Sequence, residues 1–182
     1  MSATSEALIN LVAGTVRGWR GASTFAPARH KPAKTLKLYD MEASPYCRLV
    51  REVLTELDLD VLILPCPVGG TRFRAEAERL GGKQQFPLLV DENTGNVLYE
   101  SADIIEHLRS TYGQRKRPLN RSLRPLAVGS SFVSSALLWR PGGVMGLRAR
   151  PSKAPAQPLQ LYSFEASPYS KPVRARLCEL EL

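Results

Sequence analysis

The chain has 182 residues, with 25 Lys plus Arg against 17 Asp plus Glu and a formal net charge of +8; 43% of its residues are hydrophobic and 23% are charged. These values lie near the globular average, which excludes a wholly disordered tail, a collagen-like chain or a disulfide scaffold, and the length suits one domain or one and a fraction. The basic excess sits outside the middle of the chain: residues 1–35 carry +4 and residues 114–158 carry +9, whereas residues 36–113 carry −5 and residues 159–182 balance. A nucleic-acid-binding domain holds its positive charge on the folded surface that docks phosphates, so no nucleic-acid partner is expected.

In chain order, residues 1–35 read as a basic arm with only Glu6 acidic, a composition that fits an organelle transit peptide as well as a disordered segment. A strand is expected at Leu36–Tyr39 and a helix from about Pro45 to Leu57, with Leu49, Val50, Val53, Leu54 and Leu57 forming its core face. Asp60–Leu64 reads as a second strand closed by Pro65 and Pro67, which cannot extend a ladder. Phe73, Ala77 and Leu80 mark a short helix stopped by Gly81 and Gly82. Pro87–Val90 and Asn96–Tyr99 pair as a hairpin around Asp91–Gly95, and Ser101 is placed to cap a last helix bearing Ile104, Ile105 and Leu108. The order is β-α-β-α-β-β-α over residues 36–113, an α/β domain. Residues 114–158 hold six prolines, four glycines and nine basic residues without an acidic one. They read as a linker, with a brief helix near Phe132–Trp139 and no core of its own.

An internal repeat follows. Leu36–Leu59 (LKLYDMEASPYCRLVREVLTELDL) and Leu159–Leu182 (LQLYSFEASPYSKPVRARLCELEL) are identical at 14 of 24 positions with an offset of 123. Residues 159–182 are therefore expected to begin a second copy, as a strand and a helix only, so that the chain reads as truncated. Three cysteines (Cys47, Cys66, Cys178) and two histidines (His30, His107) offer no zinc spacing, and no metal is expected. The uncharged stretch Pro125–Trp139 is 15 residues with Gly129 and four serines. A spanning helix needs ~20 mostly apolar residues, so no transmembrane segment is expected.

The element order, Ser44-Pro45-Tyr46-Cys47 opening the first helix, Gln85-Phe86-Pro87 before the third strand and Glu100-Ser101 before the last helix resemble the glutathione S-transferase N-terminal domain, whose thioredoxin-like fold glutaredoxins share. The repeat further resembles tandem-domain members of that family from bacteria and plastids, which implies a cytoplasmic protein or, alternatively, a plastid one. The resemblance implies glutathione as ligand, a small-molecule electrophile or disulfide as second substrate, and a transferase or thiol-disulfide oxidoreductase chemistry. Ser44 takes the catalytic position, donating to the glutathione thiolate, with Cys47 as accessory thiol. Pro87 takes the place of a cis-proline that leaves Phe86 to pair with the cysteinyl backbone; Glu100 and Ser101 hold the γ-glutamyl end; Lys83 and Gln85 reach the glycyl carboxylate, and Tyr46 borders the site. Bland readings stand beside these. Ser44-Pro45 is an ordinary N-cap and first helical position, Cys47 a small core residue, Pro87 a trans proline at a strand edge, and Glu100-Ser101 a plain cap. A non-catalytic binding or scaffold module is the alternative function, and a homodimer or a partner met through the second copy are both compatible with the sequence.

Overall fold

In the computed structural model, which describes residue 15 and residues 18–24, 26–114, 124–136, 139–140 and 143–182, the strand β1 (Leu36–Asp40) is buried on both faces. A strand's period of two sends Leu36 and Leu38 to one side and Tyr39 to the other. The first side is covered by α1 (Pro45–Glu56), whose Val50, Val53 and Leu54 repeat at helical spacing, and by α3 (Ser101–Thr111) through Ile104, Ile105 and Leu108. On the second side Ala77 of α2 (Arg74–Gly81) packs on Tyr39 and Leu88, with Phe73, Phe86 and Tyr99 around it. Burying a Leu of this kind contributes about 2–3 kcal/mol.

The sheet runs β2-β1-β3-β4. β2 (Val61–Pro65) lies parallel to β1, which requires the α1 crossover, and β3 (Leu88–Asp91) and β4 (Asn96–Leu98) complete it as an antiparallel hairpin. This is the expected thioredoxin-like order. Pro65 is the last residue of β2, in register with Asp40, and the ladder passes to Cys66, whose N–H donates to the Asp40 carbonyl at 2.6 Å. One expectation is corrected at α3. Glu100 occupies the N-cap position and Ser101 is the first helical residue, because Glu100 adopts φ 62, ψ 120 and turns the chain one residue earlier.

Described parts of the flanking segments pack on the domain. In residues 26–34 the Ala28 N–H donates to the Leu57 carbonyl at 2.8 Å and the Arg29 N–H to the Tyr112 carbonyl at 2.8 Å. Beyond it, α4 (Arg124–Ala136) is longer than the brief helix expected and packs on α1. Val128 meets the core, the Ser131 hydroxyl donates to the Pro45 carbonyl at 2.7 Å, and Phe132 sits edge-on to Tyr46 with centroids 5.6 Å apart. Val128 and Phe132 are four residues apart, a stripe that a count of Pro, Gly and Arg over the whole segment conceals. A short ribbon, β5 (Trp139–Arg140) and β6 (Gly143–Val144), follows.

The second copy of the repeat forms only its helix, α5 (Ser170–Glu179); residues 159–164 make no strand, and among the described residues no neighbouring strand offers them a ladder. Residues 146–182 dock on the first domain. The Val68 N–H donates to the Leu147 carbonyl at 2.7 Å, and the Glu181 carboxylate accepts from the backbone N–H groups of Thr71 (3.2 Å) and Arg72 (3.0 Å).

Candidate functional site

A groove of about 330 Å³ opens where α1, the turn before β3 and the start of α3 converge, and it is lined by Tyr46, Gln85, Phe86, Pro87, Glu100 and Ser101. Six of the nine residues singled out in the sequence thus meet in one place. The Phe86–Pro87 peptide is cis. Arg74 caps the outer face of the Phe86 ring at 5.0 Å and anchors the turn by donating from Nε to the Pro67 carbonyl at 2.8 Å. Glu100 has a positive φ of 62°, a region that costs a non-glycine residue of order 1–3 kcal/mol and is retained where the surroundings over-determine it. Gln85 Nε2 donates to Glu100 Oε1 at 2.6 Å, so this carboxylate is exposed yet oriented. Ser101 is 2% exposed and opens α3, where unpaired backbone N–H groups favour an anion.

The other three lie outside that lining. Ser44 is the N-cap of α1, with Oγ accepting from the Cys47 N–H at 3.4 Å; the hydroxyl proton is not used in that bond. It is 6% exposed, beneath the turn that α4 covers through Ser131 and Phe132. Lys83 places Nζ 4.6 Å above the Tyr99 ring, while the Tyr99 hydroxyl donates to the Lys83 carbonyl at 2.6 Å.

Cys47 is fully buried, and burial, reinforced by the nearby Asp40 carboxylate, pushes its thiol well above the ordinary range. The thiolate is the reactive form of cysteine, so the role of accessory thiol does not fit this position. Cys66 is equally buried, its thiol pushed up to about 12 by burial. Cys178 lies 4% exposed against the first copy of the repeat, its Sγ accepting from the Glu42 N–H at 3.5 Å. All three thiols are therefore expected to be silent to Ellman's reagent in the native protein and to titrate fully in guanidinium chloride. A fast native reaction of any one would contradict this packing.

Behind Ser44 lies a set of buried ions that motif reading missed. Arg51 Nη1 donates to both oxygens of Asp40 (2.8 and 2.7 Å) and Nε to Glu165 Oε2 (2.9 Å), and Nη2 lies 3.4 Å from Glu42 Oε2. Arg174 reaches Glu42 (3.3 Å) and Glu165 (3.1 Å). Burial alone would raise the Glu165 carboxyl, but Arg174, Arg51 and Arg48 hold it at about 2. The signal was present in the repeat: Glu and Arg at the third-from-Pro and sixth-after-Pro positions recur in both copies.

Among the described residues no helix is long and apolar enough to cross a membrane. No curated protein matches the chain. Solved structures similar to it include a Bombyx mori glutathione transferase, BmGSTD1, at 28% identity and a TM-score of 0.43, covering 53% of this chain and 45% of its own, and a Nilaparvata lugens delta-class glutathione transferase at 26% and 0.37, covering 50% and 43%. The chain thus spans less than half the length of these transferases. Residues 38–116 match the glutathione S-transferase N-terminal domain. Within that stretch the β2-β1-β3-β4 sheet and its helices have the thioredoxin-like fold, so this part of the chain is similar to the glutathione S-transferase N-terminal domain.

Proposed function

We propose that the protein binds glutathione in the groove of Tyr46, Gln85, Phe86, Pro87, Glu100 and Ser101, and that this binding serves a glutathione-dependent transfer of a thiol to a small electrophile or disulfide. The observation that carries the reading is the convergence of Phe86-cis-Pro87 with Glu100 and Ser101 on one groove. The Phe86 backbone would pair with the cysteinyl part of the tripeptide as a strand does. The Glu100 carboxylate would take the γ-glutamyl ammonium, sharing it with Gln85, and the Ser101 hydroxyl with the α3 N-terminus would take the γ-glutamyl carboxylate. The Ser44 hydroxyl, with its acceptor pair on the Cys47 N–H, would direct its proton at the glutathione sulfur.

A binding module without turnover is the second reading, favoured by the burial of Ser44, which lies outside the groove lining. Calorimetric titration of glutathione into the full chain tests the first part: binding at about 1 mM or tighter, weakened at least about tenfold in Glu100→Ala, is expected, since a charge-assisted hydrogen bond is worth ~1.5–3 kcal/mol. Equal affinity of both proteins would sink the groove assignment. Ser44→Ala then separates the two readings, retaining binding in either case and abolishing turnover only in the first.

A further inference from the structure

The two copies of the repeat share a motif, and in the folded chain they also face each other. At the offset of 123, Glu42 corresponds to Glu165, Arg51 to Arg174 and Arg48 to Lys171. The contacts cross: Arg51 of the first copy holds Glu165 of the second at 2.9 Å, and Arg174 of the second holds Glu42 of the first at 3.3 Å. Two further contacts have the same reciprocity. The Glu165 N–H donates to the Thr55 hydroxyl at 3.4 Å, and the Glu42 N–H to Cys178 Sγ at 3.5 Å, Thr55 and Cys178 being counterparts.

The symmetry extends upstream of the repeat as the sequence displays it. Gly18-Trp19-Arg20-Gly21 and Gly143-Val144-Met145-Gly146 each end on a glycine in the left-handed region, φ 71° and 72°. A Cβ on Gly21 would lie 3.0 Å from Glu165 Cβ and 3.1 Å from Glu52 Cα; one on Gly146 would lie 3.0 Å from Glu42 Cβ and 3.3 Å from Ala175 Cα. Ala175 is the counterpart of Glu52. Each glycine thus lets its own helix approach the other copy's motif glutamate, as in a pair related by an approximate twofold.

The copies differ where charge is counted. Asp40 and Glu52 of the first copy are buried acids, and their counterparts are Ser163 and Ala175. As the chain folds, four carboxylates (Asp40, Glu42, Glu52, Glu165) meet three arginines (Arg48, Arg51, Arg174), and Lys171, buried with no hydrogen-bond partner at Nζ, is the fourth cation of the set. Two first copies would bring six carboxylates to four cations, and two second copies two carboxylates to four cations. Only the mixed pairing is neutral, and buried charge left unbalanced in a low-dielectric interior opposes the other two.

We propose that the face of the first repeat built on Asp40, Glu42, Arg48, Arg51 and Glu52 is a recognition surface whose partner is the second repeat, residues 159–182, with Gly146 before it, and whose charge pattern refuses another first repeat. The Glu-Ala-Ser-Pro-Tyr motif then serves two purposes, its glutamate fastening the opposite copy and its serine capping the helix. Native-state hydrogen exchange on the full chain tests this. Arg174→Gln, a change confined to the second repeat, is expected to lower amide protection in residues 170–179 at least about tenfold while β1 and β3 keep theirs. Glu52→Ala is expected to lower protection in the same helix by a similar factor, because it leaves three carboxylates to four cations. Moving the acid across the pseudo-twofold, as Glu52→Ala with Ala175→Glu, is expected to return protection to within about threefold of the parent. The proposal is overturned if Arg174→Gln leaves α5 protection unchanged, or if the double variant is no better protected than Glu52→Ala alone.

Discussion

Arg51→Met will lower the stability of the protein by about 3–5 kcal/mol, the usual cost of removing one partner from a buried ion set. The residue is 7% exposed and fixes three carboxylates at once, Asp40, Glu42 and Glu165, so its removal takes away the ion-pair partner of Asp40 and leaves Glu42 and Glu165 to Arg174. For a domain of this size the loss corresponds to a fall in Tm of roughly 10 °C. Acid should relieve part of it. Asp40, raised by burial, loses in the variant the cation that opposes that rise, so it takes up a proton on folding and stability rises as the pH falls through its folded-state value. Asp40 is already raised in the parent, where burial outweighs the lowering effect of Arg51. A thermal-melt series from pH 8 to pH 5 checks this: the gap between parent and variant should narrow toward pH 5, and a constant gap would show that packing, not charge, sets the cost.

The same residue shows where sequence reading succeeds and where it stops. Leu36, Leu38, Val50, Val53 and Leu108 repeat with the periods of a strand and of helices, and all lie in one core, because those periods follow from backbone geometry alone. The groove was legible for a different reason. Phe86-Pro87 and Glu100-Ser101 are short motifs whose neighbours in sequence are also neighbours in the site. Arg51 carries no such mark. Its partners lie 11 and 114 positions away, and an arginine on a helix that alternates with apolar residues reads as solvent-facing until the second copy is laid over it. The extent of α4 is hidden in a composition rich in Pro, Gly and Arg, because Val128, Ser131 and Phe132, three residues within five positions, seat it on the core and on the start of α1. The expected strand in the second copy failed for the converse reason. Leu159 and Leu161 have the pattern of Leu36 and Leu38, but a strand is defined by its neighbours, and among the described residues none pairs with it.

Asp91→Ala should cost about 3 kcal/mol, through a polar network rather than an ion set. Asp91 is fully buried at the end of β3, where its carboxylate accepts from the Tyr112 hydroxyl at 2.7 Å, lies 2.8 Å from His107 Nε2, and accepts from the Asn93 N–H and side-chain amide at 2.9 Å each. It therefore ties the β3–β4 turn to the last two turns of α3. Through Tyr112 it also steadies the N-terminal segment, which hydrogen-bonds the Tyr112 carbonyl from Arg29 and sets His30 at 5.5 Å from the Tyr112 ring. Truncation to Ala leaves the buried Tyr112 hydroxyl without its acceptor, a penalty of about 1–3 kcal/mol, and loosens the turn as well. Asn, which keeps one acceptor oxygen, should cost less than Ala. Burial by itself would raise the Asp91 carboxyl, yet the hydrogen bonds from His107, Tyr112 and Asn93 prevail and hold it well below the usual carboxylate range. A carboxyl depressed in the folded state contributes stability that is present in full above its unfolded value of about 3.9 and drains away as the pH falls through the folded one. Denaturant midpoints between pH 7 and pH 2 should thus show a steep acid limb in the parent and a shallower one in Asp91→Asn. Parallel limbs would assign the acid sensitivity to other carboxylates and leave Asp91 as a neutral acceptor.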